Sequence, residues 1–399
     1  MTARELALDL LQTWPETRRF ADELLQEALA QSKLTGPDRA FVTELFYGCL
    51  RQRLALDFLV KAQATKAPRP VVADLLHLGL YQLVFLKNAP HAAVHETVEL
   101  AKRRASAVEA KFINAVLRRV DPNVLKKAEP WVQLSHPEWL WKRHGNAWCE
   151  WNNQVPPIYI RVNTLRRGGD APPLPAEATA HPLAWRVTES AGMFDLPAWK
   201  NGEFYVQDPS TLIAGDLLDP QPGEKVLDMC SAPGGKTTYL AAKMQNRGQI
   251  IAADSSNVRL GMVAENCQRL GVSIVATLPC EGTRLDRCLR GSLFDRVLLD
   301  APCSNTGVIR RRVDLRWRIQ PDEIIRLAAL QKKLLLIAGT FTKPGGVLVY
   351  STCSLEPEEN ERIIESLPGF VLEEQRASIP PRDQMDGAFV ARFRKTNTA

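Results

Sequence analysis

Two cysteines stand just past the ends of apolar runs: Cys303 in FDRVLLDAPCSNTG and Cys353 in GGVLVYSTCSLEPEENE. Two further runs share the pattern, EKVLDMC opening into SAPGGKTT and GQIIAAD ending on Asp254. With VSIVATL before Glu281, five short apolar segments carry Asp228, Cys230, Asp254, Glu281, Asp300, Cys303 and Cys353 at or near their carboxyl ends. If these segments are strands of a parallel sheet, those ends are where ligands lie. The stretch GGKTT invites comparison with a phosphate loop, whose G-x-x-x-x-G-K-[ST] pattern lets backbone amides wrap a triphosphate. With Gly235 and Lys236 as the GK pair, the first glycine falls on position 230, which is Cys230. A phosphate-loop NTPase is therefore disfavoured. Asp254 follows Gly235 by 19 residues, and a carboxylate ending the second strand suits the hydroxyl pair of an unphosphorylated ribose. Together they predict an adenosine cofactor without a phosphate wrap, S-adenosylmethionine rather than ATP.

A lone cysteine is usually a small buried hydrophobe. If the strands before Cys303 and Cys353 are neighbours, their backbones lie about 4.8 Å apart, and both thiols face one substrate. Two thiols flanking one cleft, with Asp300 beside them, favour nucleophilic catalysis. A thiol, an acid and a methyl donor answer a particular problem, since carbon 5 of cytosine is too weak a nucleophile to take a methyl group unaided. Thiolate addition at carbon 6 makes the ring an enamine, and a carboxyl group at nitrogen 3 stabilises the adduct. Loss of the carbon 5 proton and elimination of the thiol give the second cysteine a task. Spacing alone leaves open which cysteine does which.

The elements that must hold these residues follow from the apolar pattern. From residue 3 to about 120 apolar residues recur at three and four spacing, as in RELALDLLQTW, ADELLQEALAQ and VVADLLHLGLYQLVFL, so residues 1–128 are expected to form an all-helical domain. Residues 129–153 hold five Trp in a helical connector, and IYIRV, followed by a loop over 168–182 and a short strand from AWRV, fills a small α/β subdomain to residue 200. From 201 to 399 strands alternate with helices such as TTYLAAKMQ and VRLGMVAENCQRLG, which predicts a doubly wound α/β sheet, Rossmann-like in its cofactor turn.

Charge is uneven along the chain. The net charge is +6, with 7 Lys/Arg against 9 Asp/Glu in residues 1–60 but 12 against 5 in residues 61–128. That balance is compatible with a polyanionic partner. Arg310, Arg311, Arg312, Arg316 and Arg318 follow the Cys303 loop directly and are placed to meet phosphates. The eight cysteines show no C-x-x-C pair and no regular spacing, so neither a zinc site nor a disulfide framework is suggested. His91 and His95 stand four apart, but no metal is expected. No window approaches ~18 uninterrupted apolar residues, and the acidic start MTARELALDLLQTW lacks the features of a signal peptide, so no membrane partner and a cytoplasmic location are expected.

The stretches LDMCSAPGGKTT, LLDAPCSNTGVIRR and VYSTCSLEPEENE closely resemble the RNA 5-methylcytosine methyltransferases of the Nol1/Nop2/Sun group, with GEFYVQDPSTL, IYIRVNTLR and DGAFVARFRK matching flanking motifs. DRAFVTELFYGCLR, GLYQLVFL, HAAVHETVELAK and KFINAVLRRV look like the N-terminal helical domain of the bacterial 16S rRNA cytosine methyltransferases of the Sun/Fmu type, a domain similar to the antitermination factor NusB. The resemblance covers nearly the whole chain. It implies a Rossmann-like S-adenosylmethionine-dependent methyltransferase domain behind an all-α NusB-like RNA-binding domain and a small α/β RNA-binding linker. It also implies a monomer acting on a single-stranded or looped part of 16S rRNA, with cytosine 967 as the family's target.

By the same resemblance Cys353 is the nucleophile and Cys303 assists proton removal and enzyme release. Asp300 holds the base with Lys236 close by. Cys230, Ser231, Ala232, Pro233, Gly234, Gly235 and Lys236 cradle the methionine part of the cofactor. Asp254 holds its ribose and Glu281 sits near the adenine, with Arg259 and Asp300 also expected among the cofactor-binding residues; Arg161, Asn163, Arg310, Arg311 and Arg312 are expected to meet RNA. The chain departs from the family pattern at Glu281 where Asp is usual, at Arg312 and Val313 where His-Pro is common, and at His95 where Asn is common. Sister enzymes acting on tRNA or another rRNA site, and a non-catalytic RNA-binding or antitermination factor, are the competing expectations.

Overall fold

The computed structural model describes residues 1–17, 19–64, 66–167, 171–365 and 367–397. It divides into two compact units, one of residues 1–155 with 309–318 and one of residues 156–308 with 319–399. This partition departs from the expected boundaries at 128 and 200. The connector belongs to the helical unit, which also takes in a ten-residue stretch from the far side of the Cys303 loop.

In the first unit seven helices surround one apolar core: α1 Ala3–Thr13, α2 Ala21–Gln31, α3 Gly36–Arg51, α4 Arg53–Gln63, α5 Pro70–Leu80, α6 Pro90–Arg104 and α7 Ala107–Arg119. Their three-and-four apolar spacing turns one stripe inward, and Leu8, Leu45, Phe46, Leu56, Leu75 and Ile113 are fully enclosed. Thr2 and Glu5 close a capping box on α1, and Ser106 and Glu109 another on α7. The connector forms α8, Glu138–Asn153, bent at Gly145, whose φ of 81° is non-helical. Val313 is buried in the same core as α1 to α7.

The second unit carries two sheets. The smaller has the order β2-β3-β1-β4, from β1 Tyr159–Val162, β2 Ala176–Ala178, β3 Ala184–Val187 and β4 Phe204–Val206, all antiparallel. The expected loop over 168–182 thus contains a three-residue edge strand at 176–178, too short for the apolar alternation that marks a strand; residues 168–170 of that loop lie outside the described residues. The sheet extends past residue 200, since β4 pairs with β1 through Val162 and Phe204.

The larger sheet has seven strands in the order β10-β11-β9-β8-β5-β6-β7. β5 Lys225–Met229, β6 Gln249–Asp254, β7 Val275–Pro279, β8 Phe294–Asp300 and β9 Thr342–Thr352 are parallel, as their continuous apolar runs predict. β10 Phe370–Ser378 and β11 Ala388–Lys395 add an antiparallel pair at the β9 edge. α9 Gly235–Lys243, α10 Asn257–Leu270 and α11 Pro321–Phe341 are the main covering helices. Strand order reverses beside β5, which places a crevice at the carboxyl ends of β5, β6, β8 and β9.

Candidate active site

The chain leaves β5 through a turn that no regular structure continues. Cys230 takes a positive φ of 61°, and Gly234 reaches φ +99° before α9 begins. A Cβ on Gly234 would stand 3.2 Å from the Cα of Val263 on α10, so glycine serves both the conformation and the close approach. The turn is fastened on two sides. The Ser231 amide donates to the Ala253 carbonyl at 2.9 Å, and the Ala232 amide donates to Oδ2 of Asp254 at 3.2 Å. Arg259 Nη2 donates to the Ala232 carbonyl at 2.7 Å.

Beneath this turn a cavity of about 110 Å³ is lined by Cys230, Ala253, Asp254, Ser255, Arg259, Cys280, Gly282, Leu285 and Pro302. The buried Asp254 carboxylate at one side can accept from a sugar hydroxyl, and apolar Leu285, Ala253 and Pro302 offer packing for a flat base. The buried Ser231 Oγ and Asp228 Oδ1 have no hydrogen-bond partner among the described residues, which leaves polar capacity along the turn. Burial pushes the Asp228 carboxyl up to about 7. Glu281 does not face the cavity: it is exposed and pairs with Arg284 at 3.2 Å, while its neighbours Cys280 and Gly282 form the wall. A side chain that follows a strand end by two residues can swing either way, and here the turn at Gly282–Arg284 sends it outward. Ser255, Leu285 and Pro302 were not singled out in the sequence, being ordinary loop and apolar residues.

Cys280 and Cys288 are joined in a disulfide across this wall, against the expectation of none. A spacing of eight residues carries no disulfide signal by itself; the short turn and helix at 282–288 bring the two together.

The thiols of Cys303 and Cys353 are 3.4 Å apart. β8 and β9 are parallel neighbours with Asp300 opposite Ser351, so the two loops leave adjacent strand ends in register. Cys353 Sγ lies 3.0 Å from Asn305 Oδ1, and the Gly307 amide donates to the Cys353 carbonyl at 3.0 Å. The hydrogen bond to Cys353, together with burial, raises the Cys303 thiol well above its ordinary range. Lys236 Nζ donates to Asp300 Oδ2 at 2.8 Å, and Ser351 Oγ donates to Oδ1 at 3.1 Å. Burial opposes the Lys236 charge, but the adjoining Asp300 carboxylate outweighs it and holds the ammonium above the usual lysine value. Two thiols and a fixed carboxylate–ammonium pair therefore gather around the adjoining ends of β8 and β9.

The residues expected to meet RNA are placed differently. Arg161 is fully buried: its guanidinium donates to Gln207 Oε1, to the Gly235 carbonyl at 2.8 Å and to Thr238 Oγ1 at 3.0 Å, so it braces the cofactor turn from below. Asn163 is also buried and donates to the carbonyls of Gly202 and Leu270. Arg310 is buried in the helical unit, stacked 4.0 Å from the Trp151 ring centroid, and donates to the Val155 carbonyl. Arg312 lies over Phe20, and Arg311 is half-buried. Arg316 is enclosed, with donors on the carbonyls of Arg51, Ser135 and Asn152 and on Asn153 Oδ1. Arg318 donates to the carbonyls of Thr17, Trp14 and Arg19. A run of arginines looks alike in sequence whether its partners are phosphates or carbonyls, and here those with described partners are largely spent on carbonyls and aromatic faces. Among the described residues no group of three or more His, Cys, Asp or Glu is arranged to hold a metal, and no helix is long and apolar enough to cross a membrane.

Comparison with known proteins agrees with this geometry. Residues 216–394 match the model of the family described as 16S rRNA methyltransferase RsmB/F, and residues 1–122 match the NusB family. The chain is 32% identical to the probable ribosomal RNA small subunit methyltransferase B of Bacillus subtilis, covering 92% of this chain and 88% of that one. It is 37% identical to ribosomal RNA small subunit methyltransferase B of Sodalis glossinidius, covering 92% of each. Among solved structures, a methyltransferase homolog protein from Pyrococcus horikoshii superposes with a TM-score of 0.57 at 29% identity, over 69% of this chain and 100% of that one. Matched to those relatives over most of its length, the chain belongs to the ribosomal RNA small subunit methyltransferase B family of S-adenosylmethionine-dependent RNA methyltransferases.

Proposed function

We propose that the protein methylates carbon 5 of a cytosine in 16S rRNA, with cytosine 967 as its target, through a covalent adduct between Cys353 and the base. The observation that carries this reading is the 3.4 Å approach of the Cys303 and Cys353 thiols beside the Asp300–Lys236 pair. The Cys230–Lys236 turn would hold S-adenosylmethionine with Asp254 at its ribose, and the bound cofactor would supply the electrophilic methyl group. Cys353 adds as thiolate to carbon 6, and the electron pair pushed onto nitrogen 3 takes a proton that Asp300 relays from Lys236, whose Nζ lies 2.8 Å from Asp300 Oδ2. Lys236 and Ser351 together keep the Asp300 carboxylate from turning. As carbon 5 takes the methyl group, nitrogen 3 returns its proton through Asp300 to Lys236; Cys303, having given its own proton to solvent, removes the carbon 5 proton and is a thiol again, while the carbon 6–sulfur electron pair leaves with Cys353 as thiolate. The target base must leave its stack to reach Cys353, which favours a looped or unfolded stretch of RNA. The enzyme works as a monomer in the cytoplasm.

Cys353→Ala is expected to abolish methylation, and Cys303→Ala to trap a protein–RNA adduct that survives denaturation. Trapping by Cys353→Ala instead would reverse the two roles. Bisulfite mapping of rRNA with and without the enzyme reads the modified position, and protection anywhere other than cytosine 967 would overturn the target assignment.

A further inference from the structure

Each reactive cysteine is followed by a serine, Ser304 after Cys303 and Ser354 after Cys353. Both serines are buried, and both converge on one carboxylate. Glu359 is fully enclosed; its Oε1 accepts from the Ser304 amide at 2.9 Å and from Gln331 Nε2 at 2.9 Å, and its Oε2 pairs with the hydroxyls of Ser304 and Ser354. The two hydroxyls are themselves 3.1 Å apart. Gln331, on α11, also donates to the carbonyl of Pro302, immediately before Cys303. The next residue, Asn360, closes the Cys353 loop on itself: it accepts from Thr352 Oγ1 at 2.6 Å and donates to the Ser354 carbonyl at 2.8 Å. Tyr350, from β9, donates its hydroxyl to the Glu359 carbonyl and so fixes the backbone from which the carboxylate projects.

We propose that Glu359 is a positioning residue for the reaction, tying the Cys303 loop to the Cys353 loop so that the two thiols keep their mutual distance while the substrate is bound. A buried carboxylate costs free energy unless its oxygens are satisfied, and four donors from two loops and a helix satisfy this one. Its separation from the cofactor is equally clear, since Glu359 does not line the cavity under the glycine turn. The charge also acts on the chemistry. Cys303 is faced by Cys353, Glu359 and Tyr350, and the Glu359 carboxylate adds to the effects that keep Cys303 a neutral thiol. Burial in turn raises the Glu359 carboxyl, with the serine hydrogen bonds working against that rise.

The inference rests on the reading of Cys303 and Cys353 as the reacting groups. Its test uses the full chain with Glu359→Ala and Glu359→Gln. The Ala variant releases both loops, and its single-turnover methyl transfer is expected to fall on the order of 100-fold, the scale of an ångström of misplacement, with S-adenosylmethionine affinity unchanged. The Gln variant keeps an acceptor for the Ser304 amide and donors for the two hydroxyls, so it is expected to recover most of the rate. Having lost the charge, it should also shift the pH midpoint of Cys303 alkylation by iodoacetamide downward. Wild-type transfer rates in Glu359→Ala, or loss of cofactor binding in parallel with rate, would overturn the proposal. If Glu359→Ala does not fold, Ser304→Ala and Ser354→Ala decide it: both slow with cofactor affinity intact supports the tie, and both at wild-type rate refutes it. Absence of 5-methylcytosine with the wild-type protein would refute the reading of the reaction instead, and the alkylation midpoint still judges Glu359 in that case.

Discussion

At the residue scale the cleft separates groups by what burial does to them. Lys236 keeps its charge because Asp300 is beside it, whereas Asp228, one residue before the end of β5, has a hydroxyl from Thr237 at 2.6 Å and, among the described residues, no cation in hydrogen-bond reach. Its pKa rises from 3.8 to about 7. A carboxyl raised in the folded state binds more protons there than in the unfolded chain between those two values, so its contribution to stability is complete below the lower one and lost as pH rises through the upper. Asp228→Asn removes that loss. The melting temperature of the Asn variant should gain on wild type as pH goes from 5 to 8, by the equivalent of about 2 kcal/mol; a difference that stays constant over that range would show that Asp228 does not titrate there. Thermal unfolding followed by circular dichroism at the two pH values makes the measurement.

At the scale of elements, three stretches of backbone meet where the Cys303 loop crosses the turn into β11. A Cβ on Gly307 would lie 2.7 Å from the Cα of Gly387 and 2.8 Å from the Cys353 carbonyl oxygen, and the Gly307 carbonyl accepts from the Gly387 amide at 2.8 Å. Gly307→Ala must push the two cysteine loops apart. Methyl transfer is expected to fall by roughly 100-fold with cofactor affinity kept, since none of these atoms borders the cavity; transfer at the wild-type rate would show the loops to be adaptable. This junction also marks what could be read from sequence and what could not. The five parallel strands were legible because a strand buried on both faces must be a continuous apolar run, as VLLD and VLVYST are. β10 was not, since FVLEEQRAS lies at the sheet edge with mostly exposed residues and no apolar face. Cys303, Cys353, Asp300 and the glycine turn stood out by residue type and spacing. Glu359 did not, because an acidic run such as EPEENE reads as a solvated surface, and only the fold shows which of its carboxylates is enclosed.

At the scale of the whole molecule, the chain's positive balance does not translate directly into surface for RNA. Five arginines between residues 310 and 318 contribute to the net charge of +6, yet Arg310 and Arg316 are buried and Arg312 and Arg318 rest on aromatic rings of the helical unit. That segment gives the unit Val313 for its core and Asp314, whose Oδ2 accepts from the Ala21 amide at 3.1 Å at the start of α2. The helical unit is thus completed by residues some 150 positions beyond its other end at Val155, and the buried Arg316 fastens them, since four acceptors share its guanidinium. Arg316→Ala leaves those acceptors without their donor and opens a cavity, at a cost of about 3 kcal/mol. A cation that binds phosphate behaves otherwise: its loss weakens RNA binding and lowers the slope of log affinity against log salt by about 0.7 to 0.9. Arg316→Ala is therefore expected to lower the melting temperature while the salt slope for rRNA binding, measured below that temperature, stays as in wild type. A reduced slope with unchanged melting would return Arg316 to the RNA surface.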